Sequence, residues 1–410
     1  MSQALAAPSS QQIAGQLLQQ PPTVQSINTN YDVLALFSDD IALANLPVVD
    51  DGRPVGIINR NTFMSQLARP FHREIFGRRA CTAFMNAAPL TVDYHLPLTE
   101  LSYQVLSAGE AVLSDGFLIT RDGEYAGLGQ GIQLVQALAD QQAEKHRHMM
   151  ESIHYASVIQ QSFLQSSRRE MAAALSDYSM VWQPRDIVGG DYYYFVRRPH
   201  GFFVAVIDCT GHGVPGAFMT LIMASALKQV LTSHDLTNPA ELLGAINRQV
   251  KESLGQLAEH EQDDEDFELR SDDGMDCAFC WFDTDARTLT YAGAKTPLFL
   301  LRPGDEEIDS IDGNKKGVGY VGTPLDYTWD NQSIALPAGS RVYITTDGII
   351  DQIGGAKRIA FGKKRFKAAL LSRRDAPMAE QQRELLARFA DWQSEHSRRD
   401  DVSLFAVHLP

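Results

Sequence analysis

Four aspartates stand where strands give way to turns, and their setting is that of a metal-assisted phosphoryl-transfer site. The clearest is Asp208, which ends the apolar run Gly201 to Ile207 and precedes the glycine-rich turn Cys209-Thr210-Gly211-His212-Gly213. A helical stretch is expected from about Pro215, so the carboxylate sits at the mouth of a strand. Asp191 follows Gly189-Gly190, Asp347 lies in Thr345-Thr346-Asp347-Gly348, and Asp400-Asp401 precede the last apolar strand. Hydrolysis of a phosphate dianion needs charge neutralisation and a poised nucleophile, and two Mg²⁺ or Mn²⁺ ions supply both. Such cations take carboxylate, carbonyl and water oxygens. No His or Cys set converges in the sequence, which disfavours zinc.

Around these residues, strands are expected at 180–183, 192–196, 202–208, 277–282, 288–292, 298–301, 341–345 and 402–408. Helices are expected at 216–231, 239–254 and 378–392. Hairpin-linked strands with inserted helix pairs point to stacked antiparallel sheets with helices outside.

The motifs Gly189-Gly190-Asp191, Asp208 to Gly213, Thr346-Asp347-Gly348 and Asp400-Asp401-Val402-Ser403, taken in this order, resemble the metal-dependent protein phosphatases (protein phosphatase 2C-like, or PPM), in their bacterial stage II sporulation protein E branch. The resemblance covers about 230 residues. It implies an α-β-β-α sandwich and a serine/threonine phosphatase acting through two Mn²⁺ or Mg²⁺ ions and an activated water. It also implies a role for each residue. Asp208 bridges both ions and the Cys209 main-chain carbonyl completes the first site. Asp191 holds the first ion, and Asp347 and Asp400 hold the second; Asp401 ranks below Asp400. The substrate class implied is a phosphoserine on a STAS-domain protein, an anti-sigma factor antagonist.

Other residues keep two readings. His212 is either an acid near the leaving group or a structural histidine. Arg185 is either a phosphate contact or a surface residue. Asp276 is a candidate accessory ligand. Gly189, Gly190, Gly211 and Gly213 permit left-handed backbone or close approach. Cys277 and Cys280 form a CxxC spacing inside the run CAFCWF, which reads as a buried strand. The acidic stretch Glu259 to Glu268 reads as a solvated loop able to screen substrates by charge.

Residues 25–140 contain two similar units. Ala44 to Ile58 and Gly116 to Leu128 each read as strand, Asp-Gly turn, strand, with helices expected at 61–67 and 132–139. They resemble a pair of cystathionine-β-synthase (CBS) domains. Asn59 and Thr62, and Gln130 and Gln133, occupy the places such pairs use for adenine nucleotides, and the ribose-binding aspartate is missing. Dimerisation, or sensing of another signal, is the expected role. A helix is expected through residues 134–175, since no Pro or Gly interrupts Ile132 to Leu175. It is either a plain linker or a coiled-coil lever between two protomers.

The expected organisation is α+β: a flexible arm over 1–24, the α/β CBS-like pair over 25–140, a helical linker over 141–175 and the catalytic domain over 176–410. The hydrophobic share of 44% supports real cores. A net charge of −15, with the basic stretch Arg69 to Arg79 as local relief, argues against nucleic acid as a partner. No secretory pattern or bilayer-length apolar run is expected, and four cysteines in 410 residues are no disulfide framework. A cytoplasmic, homodimeric protein is the expectation. The rivals are a degenerate phosphatase-like binding module and a nucleotide cyclase suggested by Gly189 to Tyr193. The cyclase leaves Asp208, Asp347 and Asp400 without a role.

Overall fold

The computed structural model describes residues 12–256 and 272–410. The chain divides into two compact units, Met1–Met149 and Met150–Pro410. The acidic stretch 259–268 lies outside the described residues.

The first unit runs α1 (Asn30–Asp39), β1 (Asn45–Asp50), β2 (Arg53–Asn59), α2 (Arg60–Leu67), α3 (His72–Phe76), β3 (Thr91–Asp93), α4 (Leu98–Ala108), α5 (Glu110–Asp115), β4 (Phe117–Arg121), β5 (Glu124–Gly129) and the start of α6 (Gly131–Ala174). Helix, hairpin, helix occurs twice. Both hairpins turn on an Asp-Gly pair with positive φ, at Asp51-Gly52 and Asp122-Gly123. Each half has its own apolar core, one around Val33, Phe37 and Phe63, the other around Leu101, Phe117 and Ile119.

Residues 12–24 are not a flexible arm. Ala14, Leu17 and Val24 are buried, and backbone bonds tie Gln19 to Leu128 and Val24 to Pro47 and Val49. The segment is rich in Gln and Pro, yet its few apolar residues and these bonds pin it to two hairpin edges.

The second unit contains the rest of α6, then β6 (Tyr178–Gln183), β7 (Asp191–Arg198), β8 (Gly201–Cys209), α7 (Gly213–Ser233), α8 (Pro239–Ser253), β9 (Met275–Asp283), β10 (Thr288–Ala294), β11 (Leu298–Leu301), β12 (Asp309–Ile311), β13 (Gln332–Ala335), β14 (Ser340–Thr345), α9 (Asp347–Ile350), β15 (Ile353–Gly354), β16 (Ile359–Ala360), α10 (Gly362–Leu371), α11 (Met378–Gln393) and β17 (Val402–Leu409). Two five-stranded antiparallel sheets, β13-β10-β9-β8-β7 and β12-β11-β14-β17-β6, face each other. Helices α7 and α8 pack on the first sheet, and α10 and α11 on the second. Sheets covered on both faces need strands that are apolar on both faces. Phe202 to Ile207 on β8 are accordingly all buried.

The expected strands and long helices of this unit are present. Those not anticipated are short, such as β15 and β16, or begin in a basic run, such as α10 at Gly362-Lys363-Lys364-Arg365. Two further corrections concern helices. The second unit begins at Met150 rather than near Ser176, because Leu164 and Met171 on α6 belong to its core. Among the described residues one helix, α7, is long and apolar enough to cross a bilayer by length and composition. Its Met219, Met223, Leu227 and Val230 pack into the core, which accounts for the apolar composition.

Candidate metal centre

The antiparallel register of the first sheet lines up three carboxylates. Asp191 at the start of β7 pairs with Asp208 on β8, and Asp208 pairs with Asp276 on β9. Residues directly opposite in a sheet share a face, and like charges so placed repel. Lys295 answers Asp276, with Nζ 3.0 Å from Oδ1. Asp191 is 2% exposed; its Oδ2 accepts a 2.8 Å bond from Thr346 Oγ1, while its Oδ1 has no hydrogen-bond partner.

The second sheet supplies the other acids. β14 and β17 pair in register, so Asp347, just past β14, and Asp400-Asp401, just before β17, leave the sheet at the same end. Thr346 joins the two layers: its hydroxyl accepts from Ser403 N–H at 3.0 Å while donating to Asp191. At Gly348 a Cβ would fall 1.8 Å from the Asp401 carbonyl oxygen, so only glycine allows the two segments this approach.

Asp400 and Asp401 have different tasks. Asp401 is buried and spends its carboxylate on backbone amides, accepting from Arg185 N–H and Gly190 N–H at 2.5 Å each. It clasps the loop that carries Asp191. Asp400 accepts from Asp401 N–H at 2.9 Å and contributes negative charge around Asp208 and Asp347. The glycines also differ. Gly211 and Gly213 have φ of 83° and 63°, whereas Gly190 is needed for closeness, since a Cβ there would lie 2.3 Å from the Gly211 carbonyl and 2.7 Å from that of Cys209.

The electrostatics follow from burial and like charge. Asp191 is raised well above the ordinary carboxylate range by burial, then by Asp401 and Asp400. Asp208 is raised by burial, then by Asp191, Asp347, Asp400 and Asp276. Asp347 is exposed as a residue, but desolvation of its carboxyl and neighbouring Asp400 push it up to about 6.

Among the described residues, no three His, Cys, Asp or Glu side chains close into a complete ligand set. The acids instead come from two sheets, near enough for Asp191, Asp347, Asp400 and Asp276 all to raise Asp208. The donor chemistry still fits hard divalent cations: the groups are oxygen ligands, they repel one another without a counter-charge, and Asp191 Oδ1 is buried without a partner.

His212 and Arg185 come together beside this loop. Arg185 Nη1 lies 2.5 Å from His212 Nε2 and donates to the Arg399 carbonyl, and His212 Nδ1 lies 3.1 Å from Asp186 Oδ2. This network places the imidazole proton on Nδ1, facing Asp186, and leaves Nε2 as an acceptor. These contacts tie both side chains to the loop beside the acids. Cys277 and Cys280 are three apart on β9 and so point to opposite faces. Both thiols are fully buried and pushed up by burial, as packing residues are.

The sequence reading assigned no role to Thr346, Ser403 or Lys295. The first two had a signal, a hydroxyl residue beside each acidic motif. Lys295, held at φ 60°, had none.

Comparisons with known proteins agree with this geometry. A profile of the family described as "Stage II sporulation protein E (SpoIIE)" matches residues 198–410, which include Asp208, Asp347 and Asp400; Asp191 precedes the match. Phosphoserine phosphatase RsbU of Bacillus subtilis (strain 168) is 24% identical over 230 residues, 55% of this chain and 60% of that protein. The chain thus spans less than two thirds of this relative. The SiaA-PP2C domain of Pseudomonas aeruginosa is 31% identical, with a TM-score of 0.57, covering 65% of this chain and all of that domain. With more than half its length matched and a whole PP2C domain covered, the chain belongs to the SpoIIE family and carries a PP2C-type domain.

Proposed function

We propose that the chain is a metal-dependent serine/threonine protein phosphatase that hydrolyses phosphoserine on a partner protein. The observation that carries this reading is the aligned row Asp191, Asp208 and Asp276, with an unpartnered Asp191 oxygen. Asp191, Asp208 and the Cys209 carbonyl would hold one Mn²⁺ or Mg²⁺, and Asp208, Asp347 and Asp400 a second. When bound, such ions neutralise phosphate charge and lower the pKa of water. The protein's own part is orientation. Thr346 fixes one oxygen of Asp191 and leaves the other free, and Asp401 holds the preceding loop. The similarity to phosphoserine phosphatase RsbU supports a phosphoserine substrate. A STAS-domain protein is the partner class we assign.

In this reading the first unit is a CBS-like regulatory pair. Asn59 spends its side chain capping α2 through Thr62 N–H and bonding Asn45, which favours a role other than adenine-nucleotide capture. Helix α6 would carry the signal in a cytoplasmic homodimer, through the exposed apolar residues Tyr155, Val158, Ile159 and Phe163. The rival is a phosphatase-like module that binds partners without turnover.

The test is hydrolysis of a generic phosphate ester by the full chain with Mn²⁺ or with chelator, for wild type and Asp208→Ala. Metal-dependent turnover lost in the variant supports the enzyme. A fragment for separating regulation from catalysis should begin near Met150, since Leu164 and Met171 belong to the catalytic unit's core. Absence of turnover and of metal binding in both full chain and fragment would favour the binding module.

A further inference from the structure

The buried face of α6 within the second unit is partly polar. Ser157, Gln160, Leu164, Ser167 and Met171 recur at helical spacing and are all buried. They lie along β7, the edge strand of its sheet, whose outward amides have no strand to pair with. Ser167 Oγ accepts from Phe195 N–H at 3.1 Å, and Glu170 Oε2 from Arg197 N–H at 3.0 Å. The helix thus does for β7 what a neighbouring strand would do.

Gln160 extends this to the metal loop. Its side chain is 6% exposed and grips one peptide residue from both sides. Nε2 donates to the Gly189 carbonyl at 2.6 Å, and Gly189 N–H donates to Oε1 at 3.2 Å. Nε2 also donates to Thr220 Oγ1 on α7 at 3.0 Å. Gly189 precedes Asp191 by two residues, and α7 begins just after the Asp208 turn. One amide therefore touches the loop that delivers Asp191 and the helix that follows Asp208. A primary amide has the donors and acceptor for this, which an apolar residue of equal length lacks.

We propose that Gln160 is a positioning residue for the metal centre, through which the placement of α6 sets the Gly189–Asp191 loop against α7. Sliding the helix by a single residue moves the amide by about 1.5 Å, enough to break these bonds. The inference rests on the reading of the aspartate site as a metal centre, and adds the route by which a helix displacement alters it.

The experiment uses the full chain and measures Mn²⁺ binding by titration calorimetry beside thermal melting in chelator. Gln160→Met keeps length and packing but loses the three bonds. Ser167→Ala removes an amide acceptor from the same helix face and the same strand, farther from Asp191. Gln160→Met is expected to weaken Mn²⁺ binding about tenfold, the scale of a lost hydrogen-bonding group. Ser167→Ala is expected to lower the melting temperature while keeping affinity within about twofold. If Gln160→Met does not fold, Thr220→Val, which removes one of the three Gln160 bonds along with the Thr220 hydroxyl's bond to the Ala217 carbonyl inside α7, is expected to weaken binding about threefold. Equal Mn²⁺ affinity in wild type and the Gln160 or Thr220 variant overturns the inference alone, as does a loss in all variants that merely follows melting temperature. A folded wild type that binds no Mn²⁺ overturns both the metal-centre reading and this inference.

Discussion

Replacing Asp208 by Asn removes the charge at the middle of the carboxylate row and leaves its shape nearly unchanged. Asp208 stands directly opposite Asp191 on one side and Asp276 on the other. Lys295 already answers Asp276, so the dominant repulsion is with Asp191. Opposed side chains lie about 5 Å apart, and two unit charges at that distance repel by about 3 kcal/mol at an effective dielectric near 20. Proton uptake limits the penalty: an ordinary aspartate forced to stay ionised at pH 7 costs at most about 4 kcal/mol before it takes a proton instead. In chelator, Asp208→Asn is therefore expected to be more stable than wild type by about 1–3 kcal/mol, allowing for an imperfectly bonded amide. For a unit of this size, that corresponds to roughly 2–4 °C in melting temperature per kcal/mol. With Mn²⁺ the order reverses. Wild type gains about 2.7 kcal/mol at a hundred times its Kd, and the variant gains little. Scanning calorimetry of both proteins in EDTA and in Mn²⁺ reads this crossing. A variant that melts below wild type in EDTA, or that gains as much from Mn²⁺, refutes the argument.

The same charges set a pH dependence in the metal-free protein. The folded state holds protons on Asp191, Asp208 and Asp347 that the unfolded chain releases, so stability falls as pH rises from about 4 through the raised folded values, about 6 for Asp347; melting in EDTA that rises across this range would contradict the assignment. Thr346→Val leaves Ser403 N–H and Asp191 without their shared partner, and about 1–3 kcal/mol of stability should go with it, together with Mn²⁺ affinity measured by calorimetry. Asp401→Asn leaves a single oxygen for the Arg185 and Gly190 amides, so Mn²⁺ binding should fall although Asp401 is given no metal to hold. Cys277 and Cys280 should resist alkylation in the native protein and react only on unfolding; rapid labelling under native conditions would contradict their burial.

Much of this organisation was legible along the chain. Apolar runs marked the strands of the second unit, because sheets covered on both faces need strands that are apolar on both faces. The repeated Asp-Gly turns marked both hairpins of the first unit. Short β15 and β16 and the basic start of α10 left little pattern to read. In α6, the apolar Ile159 and Phe163 remain partly exposed, while the buried face carries Ser157, Gln160 and Ser167. Those polar side chains are buried because an edge strand offers them backbone groups, and no periodicity in one segment records the hydrogen-bonding needs of another.

The site divides the same way. Sequence alone determined which acids were available and that they would stand at strand ends, since local patterning sets where a strand stops. Tertiary structure decided what each one does. Register placed Asp191, Asp208 and Asp276 in a row, and pairing of β14 with β17 brought Thr346 to Asp191. The close approach of Gly190 turned Asp401 into a clasp on the loop beside Asp400. The physical reason is that a carboxylate's role depends on the charges and donors around it, and here those come from other segments, as far as 211 residues away for Asp401 and Gly190.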